Sequence, residues 1–227
     1  MGRAFTLRRS FGYGAFVAMS NLAAAFVLAA APADAEAVTI AALGDSLTAG
    51  YGLPVDEGFV PQLEAWLEAN GADVDLINAG VSGDTTAGGL SRAAWTLTPD
   101  VDAMIVTLGG NDLLRAIDPA NSRANLRGIL EAAQEADVEV LLVGLEATGN
   151  YGPDFKQAFD IMYVDLAEEF DVPLYPNFFA GLLDAAGVQS EVARYMQRDG
   201  IHPNAEGVAE VVEAIGPSVL ALIDSVE

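Results

Sequence analysis

Residues 101–108 form an almost unbroken apolar run, and this run constrains the fold more than any other part of the chain. A strand of this composition is covered on both faces, as in parallel sheets that have helices on either side. Other apolar runs occur at residues 38–43, 74–79, 138–145 and 172–175. The chain is therefore predicted to contain a mainly parallel sheet of five strands.

Helical patterns separate these runs, with apolar side chains recurring at helical spacing. The predicted helices cover residues 59–70, 86–97, 153–170 and 178–186, and two more begin after Asp118 and Asn204. Gly216-Pro217 is expected to kink or divide the last helix. Strands that alternate with helices predict a three-layer α/β/α sandwich around a doubly wound sheet.

The first 35 residues have the layout of a secretory signal peptide. Basic residues at positions 3, 8 and 9 precede an uncharged run at residues 11–31, and Ala33-Asp34-Ala35 provides a small-residue cleavage site. Cleavage after Ala35 would leave one domain, residues 36–227, that is periplasmic or secreted and has no stable membrane insertion. The alternative is an uncleaved anchor, since the run is long enough to span a bilayer. Arg8-Arg9 leaves both general secretory and twin-arginine export open.

Residue usage narrows the possible chemistry. The chain has no cysteine, which excludes disulfides, thiolate catalysis and cysteine-ligated zinc. His202 is the single histidine, so a multi-histidine metal site is also excluded. The formal charge is −23, and removal of three arginines and one aspartate with residues 1–35 makes it −25. Such a surface repels nucleic acid and anionic membranes, so no nucleic-acid partner is expected.

Gly44-Asp45-Ser46 directly follows the first predicted strand. Ligands bind at the carboxyl ends of parallel strands, so Ser46 lies where a nucleophile would act. A strand-to-helix turn exposes the hydroxyl and aims backbone N–H groups at an oxyanion. On its own, the tripeptide is also explained by Asp45 or Ser46 capping a helix or satisfying a turn.

A histidine and a carboxylate in one polar loop provide a candidate base. Asp199 and His202 are three residues apart, so the carboxylate can hold one ring nitrogen while the other accepts a proton from a serine. Because this loop directly precedes the last helix, it is expected to converge with Ser46 at one sheet edge.

Two glycine-containing motifs also follow predicted strands. Asn111 supplies a side-chain amide on a tight turn, and Gly83 supplies a backbone N–H in a loop. With the N–H of Ser46, these groups would form an oxyanion hole of three donors, although turn chemistry alone explains either motif equally well. Asp112 is interpreted as a helix cap.

The chain resembles the SGNH (GDSL) hydrolases, and most closely their thioesterase I, lysophospholipase L1 and arylesterase branch. Four blocks carry this resemblance in family order: GDSLTAGYG, NAGVSGDTT, LGGNDLL and DGIHPNAEG. The resemblance implies that Ser46 is the nucleophile, that Gly83 and Asn111 are oxyanion donors, and that Asp199 and His202 complete the triad. It also implies a flavodoxin-like fold and no metal or cofactor.

These observations together predict a serine esterase that acts on small-molecule or lipid acyl esters or thioesters. The acyl pocket is expected to include Leu113, Leu114 and Ile117, and part of the loop at residues 150–155.

Two other functions remain open at this point. A metal-dependent phosphohydrolase would bind Mg²⁺ through oxygen atoms of Asp45, Asn111, Asp112 and Asp199. An acidic binding module that keeps the fold without catalysis is the other, although the intact set of Ser46, Asp199 and His202 argues against it.

Overall fold

The computed structural model describes Gly2, residues 37–187 and residues 189–226. Gly2 apart, the predicted signal peptide and its cleavage site after Ala35 lie outside the described residues.

Five strands form one sheet, and every neighbouring pair is parallel. In chain order they are β1 (Val38–Gly44), β2 (Val74–Gly80), β3 (Ala103–Thr107), β4 (Glu139–Val143) and β5 (Leu174–Tyr175). Their order across the sheet is β2-β1-β3-β4-β5. All residues of β3 are buried, as its apolar run predicts. The predicted five-stranded parallel sheet is confirmed.

Helices follow or precede each strand. They are α1 (Ser46–Ala49), α2 (Phe59–Ala69), α3 (Thr86–Thr96), α4 (Gly110–Leu114), α5 (Pro119–Glu135), α6 (Pro153–Phe170), α7 (Ala180–Ala186) and α8 (Ala205–Val226). Short 3₁₀ segments cover Val55–Glu57, Gly149–Tyr151 and Gln189–Tyr195. Helix α8 contacts α2 and α7, whereas α5 contacts α3 and α6. These two groups cover the two faces of the sheet and give the predicted three layers.

The sheet has its topological switch point between β1 and β3. The chain runs from β1 to β2 on one side and then returns to the other side of β1 to form β3. Connections from β1 and β3 therefore leave in opposite directions, and a crevice opens at the carboxyl ends of these two strands. Gly44 lies opposite Thr107 in the register, so α1 and α4 begin on either side of this crevice.

Of the kink or division expected at Gly216-Pro217, the division does not occur. Helix α8 runs from Ala205 to Val226 with Pro217 inside it. Its buried stripe continues through the proline, with Ile215, Gly216 and Val219 all in the core. Gly216 packs so closely on Trp66 that a Cβ there would overlap the indole. Tertiary packing on both sides of Pro217 thus outweighs the local cost of proline in a helix.

Candidate active site

Ser46 is the first residue of α1 and follows β1 after a sharp turn. Asp45 caps this helix, because its Oδ1 accepts a hydrogen bond from the Leu47 N–H at 3.0 Å. Gly44 is needed before it, since a Cβ at this position would overlap the side chain of Thr48. The turn therefore presents Ser46 at the carboxyl edge of the sheet, with its backbone N–H at the unpaired start of a helix.

His202 contacts both of the other candidate triad residues. Its Nε2 lies 2.8 Å from Ser46 Oγ, and its Nδ1 lies 2.7 Å from Asp199 Oδ2. When the neutral ring carries its proton on Nδ1, that nitrogen donates to Asp199 and Nε2 accepts from Ser46. The three side chains that the sequence analysis selected are thus brought together in one hydrogen-bonded chain.

Asp199 is held by hydrogen bonds rather than by burial. Its side chain is 37% exposed, and its Oδ1 accepts bonds from the N–H groups of Ile201 at 3.0 Å and His202 at 3.1 Å. The bond from the imidazole, followed by these backbone bonds, lowers the pKa of Asp199 to about 2. A bridge between Met196 and Pro203 closes the base of the loop. The carboxylate is therefore ionised and fixed in direction at neutral pH.

Asn111 lies in the first turn of α4, directly beyond β3. Its Nδ2 donates to Oδ2 of Asp45 at 3.2 Å, so one amide hydrogen is used and the other is left for a ligand. Asp45 is only 2% exposed. This burial raises the pKa of Asp45, while the bonds from Leu47 and Asn111 act in the opposite direction. Asp45 thus links the Ser46 turn to Asn111 across the crevice.

Gly83 lies in the exposed loop between β2 and α3, with a φ of 85° that favours glycine. The loop starts beside the Ser46 turn, because the Val81 N–H donates to the Gly44 carbonyl at 3.0 Å. Arg115 donates from Nη2 to the Gly83 carbonyl at 2.8 Å. In the described part of the chain the Gly83 N–H has no intramolecular acceptor, so it is free to bind a ligand.

Arg92 is a site-building residue that the sequence analysis missed. Its Nη2 donates to the Gly44 carbonyl at 2.7 Å, its Nη1 to the Ala79 carbonyl at 2.6 Å and its Nε to Asp84 Oδ2 at 2.7 Å. The guanidinium therefore joins the ends of β1 and β2 to the Gly83 loop. Nothing in the sequence near Arg92 distinguishes it from an ordinary helix-surface arginine.

A cavity of about 750 Å³ opens beside Ser46, Asn111 and His202. Most of its remaining wall is apolar and comes from segments far apart in sequence. The apolar side chains include Leu113, Leu114, Leu145, Phe179, Leu183 and Met196. Because the nucleophile lies at the edge of this apolar space, the cavity is suited to the acyl part of a substrate.

The predicted pocket residues differ in where they lie. Leu113 and Leu114 line the cavity, but Ile117 does not. The N–H of Ile117 bonds to the Asp112 carbonyl at 2.9 Å in the turn that closes α4, and this turn directs the chain away from the cavity. In the loop at residues 150–155, the Tyr151 hydroxyl lies 3.4 Å from the Leu114 carbonyl, so this loop supports the rim rather than the wall.

Asp112 does not cap its own helix, contrary to the prediction. It is 1% exposed, and its Oδ2 accepts from the Thr86 N–H at 2.8 Å. Its Oδ1 accepts from the hydroxyls of Thr86 at 2.6 Å and Ser122 at 2.8 Å. Asp112 therefore caps the start of α3 from a neighbouring helix and connects it with α5. The sequence could not indicate this role because it depends on tertiary packing.

The oxygen ligands of the metal-dependent alternative do not converge. Asp112 faces Thr86 and Ser122, while Asp199 faces His202. Within residues 37–187 and 189–226, no three acidic or histidine side chains are grouped so that they could hold a metal ion.

Comparison with known proteins finds similar sequences and structures over most of the chain. The model of the GDSL-like lipase/acylhydrolase family matches residues 42–209, a range that includes every site residue from Asp45 to His202. Esterase TesA of Pseudomonas aeruginosa is 37% identical over 190 residues, which cover 83% of this chain and 91% of that protein. Thioesterase 1/protease 1/lysophospholipase L1 of Escherichia coli K12 is 34% identical over 192 residues, with 84% and 87% covered. The chain also resembles the crystal structure of AlinE4, an SGNH-hydrolase family esterase, with 43% sequence identity and a TM-score of 0.67. The match covers 83% of this chain and 98% of AlinE4.

Proposed function

We propose that this chain, which belongs to the GDSL-like lipase/acylhydrolase family and is a hydrolase of acyl esters or thioesters, uses Ser46 as its nucleophile. His202 is the general base, and Asp199 orients the histidine ring. The single observation that carries this assignment is the chain of two short hydrogen bonds from Ser46 through His202 to Asp199.

In the proposed reaction, Ser46 Oγ attacks the carbonyl carbon of the ester while His202 Nε2 takes the hydroxyl proton. The negative charge that develops on the carbonyl oxygen is stabilised by the N–H groups of Ser46 and Gly83 and by the Asn111 amide. His202 then gives its proton to the leaving alcohol or thiol. Water, activated by the same histidine, hydrolyses the acyl-enzyme and restores Ser46.

The cavity supports an acyl chain as the part of the substrate that is buried. Leu113, Leu145 and Phe179 form an apolar part of the wall, while Glu146 and Arg198 place charged side chains elsewhere on the lining. An apolar chain enclosed by this wall gains about 0.8 kcal/mol for each buried methylene. The relatives are named as an esterase and as a thioesterase with lysophospholipase activity, which supports both oxygen and sulfur esters as substrates here.

A fluorophosphonate probe tests the nucleophile directly. We expect peptide mass spectrometry of the labelled protein to find the adduct on Ser46, and Ser46→Ala to abolish labelling. Ser91→Ala is the matched control, since Ser91 is an exposed serine whose hydroxyl bonds only to a carbonyl of its own helix. Labelling of another serine would contradict the assignment, and absence of turnover with every ester and thioester would favour the non-catalytic binding module.

We also propose that the protein acts in the periplasm or outside the cell after removal of residues 1–35. The order of basic residues, apolar run and Ala33-Asp34-Ala35 supports this location. Mass spectrometry of the exported protein should give a mature N-terminus at Glu36. An intact Met1 in the membrane fraction would instead establish the uncleaved anchor.

A further inference from the structure

Arg115 contacts the loop that carries one of the proposed oxyanion donors. It is the residue that closes α4, and its Nη2 donates to the Gly83 carbonyl at 2.8 Å. Gly83 itself is exposed and has a backbone conformation that glycine reaches easily and leaves easily. In the described part of the chain, this is the one hydrogen bond that Gly83 makes. The peptide between Gly83 and Asp84 is thus held at both ends, since Arg115 binds its carbonyl and the Asp84 N–H donates to the Val81 carbonyl at 3.0 Å. Arg115 is the contact that ties the Gly83 carbonyl to another element.

Arg115 differs from several other arginines of the protein in the partner that its guanidinium binds. The chain has 33 acidic residues and 10 Lys or Arg. Arg92, Arg123, Arg127 and Arg194 each pair with a carboxylate. Within the described residues Arg115 forms no ion pair, and its recorded partner is a neutral backbone carbonyl. A charge-assisted bond to this carbonyl is stronger than a neutral one, so it is suited to holding an exposed loop in place.

Arg115 also lies where it can fix the relative positions of the two proposed oxyanion donors, Gly83 and Asn111. It follows Asn111 by one turn of the same short helix, and its N–H donates to the Asn111 carbonyl at 3.2 Å. Helix α4 therefore carries one donor, Asn111, and through Arg115 it holds the loop of the other, Gly83. Oxyanion stabilisation depends on donors that are already in position before charge develops.

We propose that Arg115 is a positioning residue that fixes the Gly83 N–H relative to the Asn111 amide. This inference rests on the proposed role of Gly83 as an oxyanion donor. Arg115 acts through Gly83 and donates no proton to the substrate. Its contribution is therefore confined to the transition state.

Kinetics of Arg115→Met with a neutral p-nitrophenyl ester test the proposal, because a neutral substrate removes direct attraction to the guanidinium. We expect kcat to fall about 10- to 100-fold, less than the ~10²–10³ that loss of a whole donor costs, with KM changed less than about twofold. Affinity for a trifluoromethyl ketone transition-state analogue should fall by the same factor as kcat/KM. Arg115→Lys, which keeps one charged donor, should recover part of the loss.

The matched control is Arg127→Met, which removes the same charge from α5, where Arg127 pairs with Glu169. It should leave kcat, KM and the analogue affinity unchanged. Unchanged thermal unfolding of the Arg115 variants will show that their loss is local. An Arg115→Met effect on KM alone, or equal loss of substrate and analogue affinity, would overturn the positioning role.

A double-mutant cycle separates this proposal from the function on which it rests. Arg115→Met should add almost nothing in a Gly83→Pro background, because proline has no N–H for Arg115 to position. It should keep nearly its full effect in an Asn111→Ala background, since Asp45 holds Asn111 independently. Equal effects of Arg115→Met in both backgrounds would refute the inference alone. Full activity of Gly83→Pro would refute the oxyanion role of the Gly83 N–H and the inference with it, while leaving the Ser46 labelling intact.

Discussion

The nucleophile side and the base side of the site are built in different ways. Ser46 and Asn111 lie in short helices that directly follow adjacent central strands, and the buried carboxylate of Asp45 joins them. Asp199 and His202 lie in an irregular loop before α8, where Asp199 is partly exposed and held by backbone N–H groups. The first side is positioned by the sheet, the second by local hydrogen bonds and by the contact with Ser46.

Because of this difference, a substitution on the nucleophile side should affect both stability and activity, whereas one on the base side should mainly affect activity. Changes at Asp45 remove an acceptor from buried donors and therefore affect folding as well as catalysis. Changes in the loop of Asp199 affect groups that water can reach, so they alter catalysis with little effect on folding. The following variants test this contrast.

The largest effect is expected where the two sides meet. Ser46→Ala and His202→Ala should each lower kcat by roughly 10⁴–10⁶, and the double variant should be no worse than either one. The reason is that the serine is activated only through the histidine. Steady-state kinetics, with circular dichroism as the control for folding, will measure this. Multiplicative losses would mean that the two residues serve separate steps, and the triad would have to be abandoned.

On the base side alone, Asp199→Asn should lower kcat by about 10⁴ because the amide permits the wrong histidine tautomer. The free energy of unfolding at neutral pH should fall only by a small amount, because the carboxylate is 37% exposed and solvent screens its bonds. The pKa of Asp199 is about 2 in the folded protein, below its ordinary 3.8. The carboxylate thus stabilises the fold above pH 3.8, and this contribution is lost as the pH falls through about 2.

Urea denaturation of wild type and Asp199→Asn over this acidic range checks the sign of that effect. The difference in their free energies of unfolding should shrink as the pH falls from 4 toward 2. A difference that stays constant would show that the loop does not favour the ionised carboxylate.

The smallest catalytic effect is expected on the nucleophile side. Asn111→Ala should lower kcat about 10²–10³-fold without moving the acid limb of kcat/KM, because the amide supplies no proton. Asp45→Ala should also lower the free energy of unfolding by about 1–3 kcal/mol, since Leu47 and Asn111 lose their acceptor. Thermal unfolding measures this second effect. An Asp45→Ala variant as stable as Asp199→Asn would remove the contrast between the two sides.

The elements that could be predicted are those whose signal is local. The apolar run of β3 and the helical spacing of α2 and α6 report burial directly, so the layers follow from the sequence. Ser46, Asn111 and His202 were identifiable because each lies in a polar motif next to a strand end or the last helix, and parallel topology brings such motifs together.

The parts that could not be predicted depend on contacts between distant segments. Arg92 and Arg115 look like ordinary surface arginines until the loops they hold are placed beside them. Phe179 and Met196 reach the cavity only because α7 and the following segment fold over its edge. The continuity of α8 through Pro217 could not be predicted for the same reason, since the packing that keeps α8 continuous involves Trp66 on another helix.

The contact between Ser46 and His202 joins residues that are 156 positions apart in the chain. Such a contact forms only after a long loop is closed, so it belongs to the late stages of folding. During synthesis, the base emerges from the ribosome long after the nucleophile, and the helix that follows its loop, α8, emerges later still. The newly made chain is therefore unable to cleave esters until α8 and the loop before it have packed against the rest of the domain. In a refolding experiment, esterase activity should consequently return only when both distant segments have folded and met. Its recovery should lag behind the far-ultraviolet circular dichroism signal of helix formation.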